Sequence, residues 1–138
     1  RELNLQGAVG DMIREGLLAS AHDVSDGGLA VALAECCFAG LDPATGLEAT
    51  LDDAPGAAGL REDALLFGET QSRVVISAAE RHIDRIRQSA EARSTPCAAV
   101  GRVRTDVFSL RVGGHAVIVD DVRSLRDVWA NSLATAVK

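Results

Sequence analysis

The chain has 138 residues, 47% of them apolar and 25% charged, with a net charge of −6. That is long enough and apolar enough for one domain with a core of its own, so wholesale disorder is excluded. The acidic balance argues against a nucleic-acid surface, and one Trp with no Tyr leaves no base-stacking platform.

Val9, Met12, Ile13 and Leu17 recur at helical spacing and predict a helix over 7–18, with Gly16 near its end. A short strand over 19–24 follows. Asp26 is placed to cap a helix over 27–38, which is apolar on every side and is expected to be the most buried, with Gly40 as its stop. A strand over 47–51, a loop over 52–59 and a short helix over 62–68 come next. Val74, Val75 and Ile76 are β-branched and predict a strand over 73–77, and Ser77 with Glu80 has the spacing of a capping box for a helix to about 93. Its expected inner stripe is Ile83, Ile86 and Ala90. Strands over 98–103, 107–112 and 116–120 read as an antiparallel meander, with Gly113-Gly114 as its hairpin turn. Asp121 opens a last helix whose inner stripe is Val122, Leu125, Trp129, Leu133 and Ala136. The order of elements predicts an α+β fold, a mixed and largely antiparallel sheet packed by helices.

No apolar run approaches the roughly 20 residues of a membrane span. No signal-peptide pattern opens the chain, so neither a membrane nor a secretory route is expected. The first residue is Arg, which reads as a domain of a longer protein. Cys36, Cys37 and Cys97 form no disulfide framework, and the first two fall inside the apolar helix as small hydrophobes. A reducing, cytoplasmic setting is expected.

Chemistry concentrates in two segments. In the first, Asp23, Ser25 and Asp26 stand where a strand ends, and Gly27 and Gly28 where a helix begins. Backbone N–H groups and carboxylates gathered there suit a phosphorylated ligand or its metal ion, with Asp23 and Asp26 as oxygen donors for Mg²⁺. Asp and Ser are equally good as helix caps, and Gly-Gly as a plain turn, so the residues alone leave both readings open. In the second segment, Glu69, Gln71 and Ser72 lie between a helix and a strand, where side chains project toward a ligand. Arg73 beside them suits a phosphate or a pairing with Glu69. His22, beside the polar candidates, reads as a hydrogen-bonded structural residue; His82 and His115 have no carboxylate-His pattern around them, and no Cys/His spacing suggests zinc.

The run His22-Asp-Val-Ser-Asp-Gly-Gly-Leu-Ala-Val-Ala-Leu-Ala-Glu35 resembles the second-half signature of the phosphoribosylformylglycinamidine synthase family. Leu66-Phe-Gly-Glu-Thr-Gln-Ser-Arg-Val-Val-Ile-Ser77 resembles a second phrase of that family at a similar distance downstream. The resemblance implies the C-terminal domain of the second half, with the mixed fold of the aminoimidazole ribonucleotide synthetase superfamily. It implies ATP and Mg²⁺ as cofactors of the whole enzyme. It also implies the small form of the enzyme, whose partners are its own remaining domains, a separate glutaminase subunit and a small bridging subunit. In the family's first-half copy, the position matching Asp23 binds magnesium, and a Glu-Ser-Gln phrase contacts the ribonucleotide. Here the order is Glu69-Thr70-Gln71-Ser72, a local departure, and a one-residue shift in extended chain turns a side chain to the other face. The family's catalytic histidine belongs to the first half, so no catalytic residue is expected here. Another ATP-dependent member of the superfamily, or a non-catalytic scaffold module, are the competing readings.

Overall fold

A computed structural model describes residues 1–40 and 43–137. The elements run α1 (Glu2–Arg14), β1 (Ser20–Asp23), α2 (Gly28–Phe38), β2 (Gly46–Thr50), α3 (Glu62–Phe67), β3 (Val74–Ser77), a 3₁₀ turn (Glu80–His82), α4 (Ile83–Ala92), β4 (Gly101–Arg104), β5 (Val107–Val112), β6 (His115–Asp121) and α5 (Val122–Ala136). The α+β expectation holds: helices accompany one antiparallel pair of strands and one mixed four-stranded sheet. Two compact units emerge, Arg1–Ala32 with Asp53–Ala99, and Leu33–Asp52 with the chain from Val100 onward. The chain crosses from the first to the second within α2.

In the first unit, α1 packs on α4 around Ala8, Met12, Leu17, Ile86 and Ala90. Helix α1 starts and stops earlier than its apolar periodicity predicts. Gly7 lies against the Arg93 side chain, and Gly16 ends the helix at φ 68°. Strands β1 and β3 pair antiparallel with Ser20 opposite Ser77 and Asp23 opposite Val74. That register overturns the capping box expected at Ser77. The Ser77 hydroxyl meets Ser20 Oγ at 2.5 Å across the strands, and the following helix opens through a 3₁₀ turn with no side-chain cap. Of the predicted stripe on α4, Ile86 and Ala90 are buried and Ile83 is half-buried, while Ser89 joins them inside.

In the second unit the sheet order is β4-β2-β5-β6. The predicted meander is therefore corrected: β2 inserts between β4 and β5, antiparallel to the first and parallel to the second. Leu47 pairs with both Val103 and Phe108, and Ala49 with both Gly101 and Leu110, so apolar residues of three strands line up on one face. Only a strand from outside the local hairpins builds that row. Gly46 lets β2 approach β5 closely, since a Cβ there would strike the Val107 backbone. Phe108, Leu110, Leu51 and Val122 are the most buried large side chains.

As expected, α2 is the most enclosed helix, with Leu29, Ala30, Ala32, Leu33, Cys37 and Phe38 all buried. Helix α5 opens on a local cap: Asp121 Oδ1 accepts the N–H groups of Arg123 at 2.9 Å and Ser124 at 3.3 Å. Its predicted inner stripe is inside only at the start. Val122 is buried and Leu125 half-buried, whereas Trp129 is 48% exposed and Ala136 is exposed. The Leu133 side chain lies outside the described residues. Trp129 still reaches back to α2, its ring 5.4 Å from that of Phe38 and its Nε1–H donating to Glu35 Oε1 at 3.1 Å.

Candidate functional site

Asp23 is the last residue of β1, and its carboxylate-bearing end is exposed. The strand pairing extends one bond further, where Val24 N–H donates to the Arg73 carbonyl at 2.9 Å. This bond sets the segment that ends in Asp23 beside the segment that carries Gln71 and Ser72. The chain then turns through Ser25 and Asp26, both exposed, and Gly28 N–H donates to the Ser25 carbonyl at 3.1 Å.

Gly27 and Gly28 adopt φ 82° and 76°, a region that L side chains enter at a cost of roughly 1–2 kcal/mol. Space is the second constraint. A Cβ on Gly28 would lie 2.6 Å from the carbonyl carbon of Phe67 and 2.8 Å from its Cα. The start of α2 therefore abuts the backbone at the end of α3, and only glycine allows it.

The expected cap by Asp26 is corrected by the same geometry. Helix α2 begins at Gly28, and the Gly27 N–H just before it donates to Glu69 Oε1 at 2.9 Å. A carboxylate 42 residues away in sequence thus holds the amide next to Asp26, and the Gly28 N–H that an Asp26 cap would take goes to the Ser25 carbonyl instead. Glu69 supplies the negative charge that a helix N-terminus favours.

Arg73 does not pair with Glu69, one of the two partners expected for it. One terminal N–H donates to the Gly68 carbonyl at 2.5 Å, and Nε–H donates to the Thr70 carbonyl at 3.3 Å. Burial holds its guanidinium below the ordinary arginine pKa. Ser72 stands at φ 62°, a left-handed conformation in a residue other than glycine. The sequence carried no signal for that backbone.

His22 Nδ1 lies 2.6 Å from the Asp23 carbonyl oxygen, a local contact that orients the ring along the strand end. His82 Nδ1 lies 3.0 Å from the Leu17 carbonyl oxygen and ties the 3₁₀ turn to the segment after α1. All three cysteines are free. Burial pushes the Cys37 thiol up to about 11, and its Sγ lies 3.4 Å from the Leu33 carbonyl oxygen within the helix.

Among the described residues, no group of three or more His, Cys, Asp and Glu side chains gathers into a metal cage. The exposed Asp23 and Asp26 offer carboxylate oxygens, so a hard cation here would complete its shell with water and phosphate oxygens. That is the ordinary coordination habit of Mg²⁺, and on this chemistry the donor set fits the ion. Among the described residues, no helix is long and apolar enough to cross a membrane.

The acidic turn, the paired glycines and the Glu69–Arg73 loop lie in one stretch of chain that matches a known family. The model of the AIR synthase related protein, C-terminal domain, matches residues 1–113. The chain belongs to this family. Relatives of the C-terminal domain include subunit PurL of phosphoribosylformylglycinamidine synthase from Alkaliphilus metalliredigens, 31% identical over 132 residues. That alignment covers 96% of this chain and 17% of the relative. The Salinibacter ruber subunit is 40% identical over 139 residues, covering 99% of this chain and 17% of the relative. The chain thus spans about 17% of the length of the curated relatives it matches. Among solved structures, T. maritima PurL complexed with FGAR superposes with a TM-score of 0.80 at 25% identity, over 90% of this chain and 20% of that one. T. maritima PurL complexed with ATP gives 0.78 at 24% identity, over 88% of this chain and 21% of that one, and speaks for the fold alone.

Proposed function

We propose that the chain serves as the C-terminal domain of the second half of a phosphoribosylformylglycinamidine synthase. The observation that carries this reading is the alignment of almost the whole chain with the synthase subunit at 40% identity. The parent enzyme would convert formylglycinamide ribonucleotide, ATP and glutamine-derived ammonia to the amidine, ADP and phosphate, an ATP-dependent ligase reaction of purine biosynthesis. Ammonia would come from a separate glutaminase subunit joined through a small bridging subunit. A cytoplasmic setting accords with three free cysteines. The whole of residues 1–138 would act as one domain of that enzyme.

When bound, Mg²⁺ and ATP would supply phosphoryl activation of the amide oxygen and neutralise phosphate charge. Asp23 is the residue we assign to the metal. Ser25, Asp26, Gly27, Gly28, Glu69, Gln71 and Ser72 are assigned to nucleotide or substrate binding. Glu69 holds Gly27 and so shapes the turn from which those groups project. With a carboxylate already at the helix start, the auxiliary or bracing role of this copy is favoured over a productive one, and the isolated chain is expected not to turn over.

The test has two arms. Thermal shift of the isolated chain with Mg²⁺-ADP reads binding directly, because a ligand at a hundredfold excess over Kd stabilises by roughly 2.7 kcal/mol. A shift that Asp23→Ala removes supports the metal assignment. In the full-length synthase, Asp23→Ala is expected to leave folding intact and to raise KM for the nucleotide. Unchanged kcat and KM, with no nucleotide lost from the purified enzyme, would remove Asp23 from the site and leave the turn as a structural brace.

A further inference from the structure

Arg73 stands between the two motifs, and its main chain and side chain face different partners. The main-chain carbonyl holds the Val24 N–H, next to Asp23. The side chain folds back along its own loop and takes the carbonyls of Gly68 and Thr70. Those two residues flank Glu69, whose carboxylate holds the Gly27 N–H at the start of α2. The loop must reverse for the guanidinium to reach back, and Ser72 supplies the reversal at φ 62°.

The chemistry of the contact is unusual for an arginine. Among the described residues, no carboxylate pairs with it, and desolvation alone shifts its pKa. A partly desolvated cation satisfied only by carbonyl oxygens gives up the Coulomb attraction that an acid would provide. What it keeps is geometry: the planar fork presents its donors at fixed angles, and two of them are spent on either side of one residue.

We propose that Arg73 is the positioning residue of this site. By clasping the carbonyls on both sides of Glu69, it fixes the direction of the Glu69 carboxylate and keeps it on the Gly27 amide. The turn that displays Asp23, Ser25 and Asp26 is thereby held from a loop more than forty residues away. Arg73 need not touch a ligand to do this. Its role takes the two motifs as one site, as proposed above. Amide exchange reads it without turnover, so its failure is distinct from failure of the enzymatic reading.

The test is hydrogen exchange on the full-length protein, resolved to single amides by electron-transfer fragmentation. It compares wild type, Arg73→Met, Arg73→Lys, Glu69→Ala and the Arg73→Met/Glu69→Ala double variant. Arg73→Met is expected to speed exchange at the Gly27 amide by about tenfold or more, the weight of one hydrogen bond to a charged group. Glu69→Ala should match it, and the double variant should add nothing further. The Val24 amide serves as the control, because its acceptor is the main-chain carbonyl of residue 73 and survives the substitution. Arg73→Lys keeps the charge but loses the fork, and should fall between wild type and Arg73→Met at Gly27. Wild-type protection of Gly27 in Arg73→Met, or additive effects in the double variant, would overturn the proposal. If Arg73→Met loses protection at Val24 as well, the fold has failed and Arg73→Lys decides. Wild-type exchange at Gly27 in that variant rejects the clasp.

Discussion

Helices α2 and α5 both begin at an acidic turn, and the two turns are held in opposite ways. At α5 the residue next to the helix does the work: Asp121 accepts two N–H groups of the first turn. At α2 the nearby Asp26 is passed over, and Glu69 caps from a distant loop. A local cap closes a small ring of chain and forms as soon as the helix does. A remote cap requires α3, the Gly68–Arg73 loop and the β1–β3 pairing to be in place first. The cap at α2 is thus a reporter of tertiary structure, whereas the cap at α5 reports only its own helix. This difference suits a site, because a turn tied to several elements is displayed at one fixed angle.

Substitution at Gly28 is the strongest way to break the remote arrangement. Gly28→Ala adds a Cβ against the Phe67 backbone at a left-handed φ. The two penalties together are expected to cost about 3 kcal/mol or more, read as a lower urea midpoint. A loss below about 1 kcal/mol would mean that the start of α2 yields easily and that its glycines are not structural.

Removal of each cap in turn sharpens the comparison. Asp121→Ala should cost about 1 kcal/mol, with faster exchange confined to the first turn of α5. Glu69→Ala should cost a similar amount, about 1 kcal/mol, but its faster exchange should spread to the 68–72 loop and to the turn at 25–28. Equal and local exchange patterns from the two variants would dissolve the distinction between them.

The far end of α2 provides an effect confined to alkaline pH. Burial, followed by the neighbouring Cys36, pushes the Cys37 thiol up to about 11. The unfolded chain ionises this thiol near its ordinary value of about 8.5. The neutral form therefore stabilises the fold fully below that value, and the contribution is lost as pH rises towards 11. Cys37→Ala should flatten the fall in urea midpoint between about pH 8 and pH 10.5 relative to wild type. An unchanged slope would assign the alkaline loss to other groups. At neutral pH, iodoacetamide should modify the exposed Cys97 well before Cys37.

Much of the molecule was legible from local pattern. Helical spacing found α1 and α4, and the apolar run found the buried α2. Alternation found β2, β-branched residues found β3, and Gly113-Gly114 found the β5–β6 turn. These signals are written within a few residues of one another, at periods fixed by backbone geometry. The two motifs were also legible as chemistry, with Glu69 and the Gly27-Gly28 pair both singled out. Their meeting was not. The Asp23 and Asp26 turn looks like a self-sufficient cap when read alone, and the capping box at Ser77 looks equally complete until Ser20 takes the hydroxyl.

What the sequence determined by itself was the kind and order of elements, the local cap at Asp121 and the two phrases that place the chain in its family. The tertiary structure alone decided that β2 lies between β4 and β5, that Glu69 rather than Asp26 holds the start of α2, and that Arg73 clasps carbonyls rather than a carboxylate. Each of those choices is a competition among partners distant in sequence. Which acceptor an N–H or a guanidinium finds depends on what packing brings within about 3 Å, and packing satisfies the whole set of buried groups together.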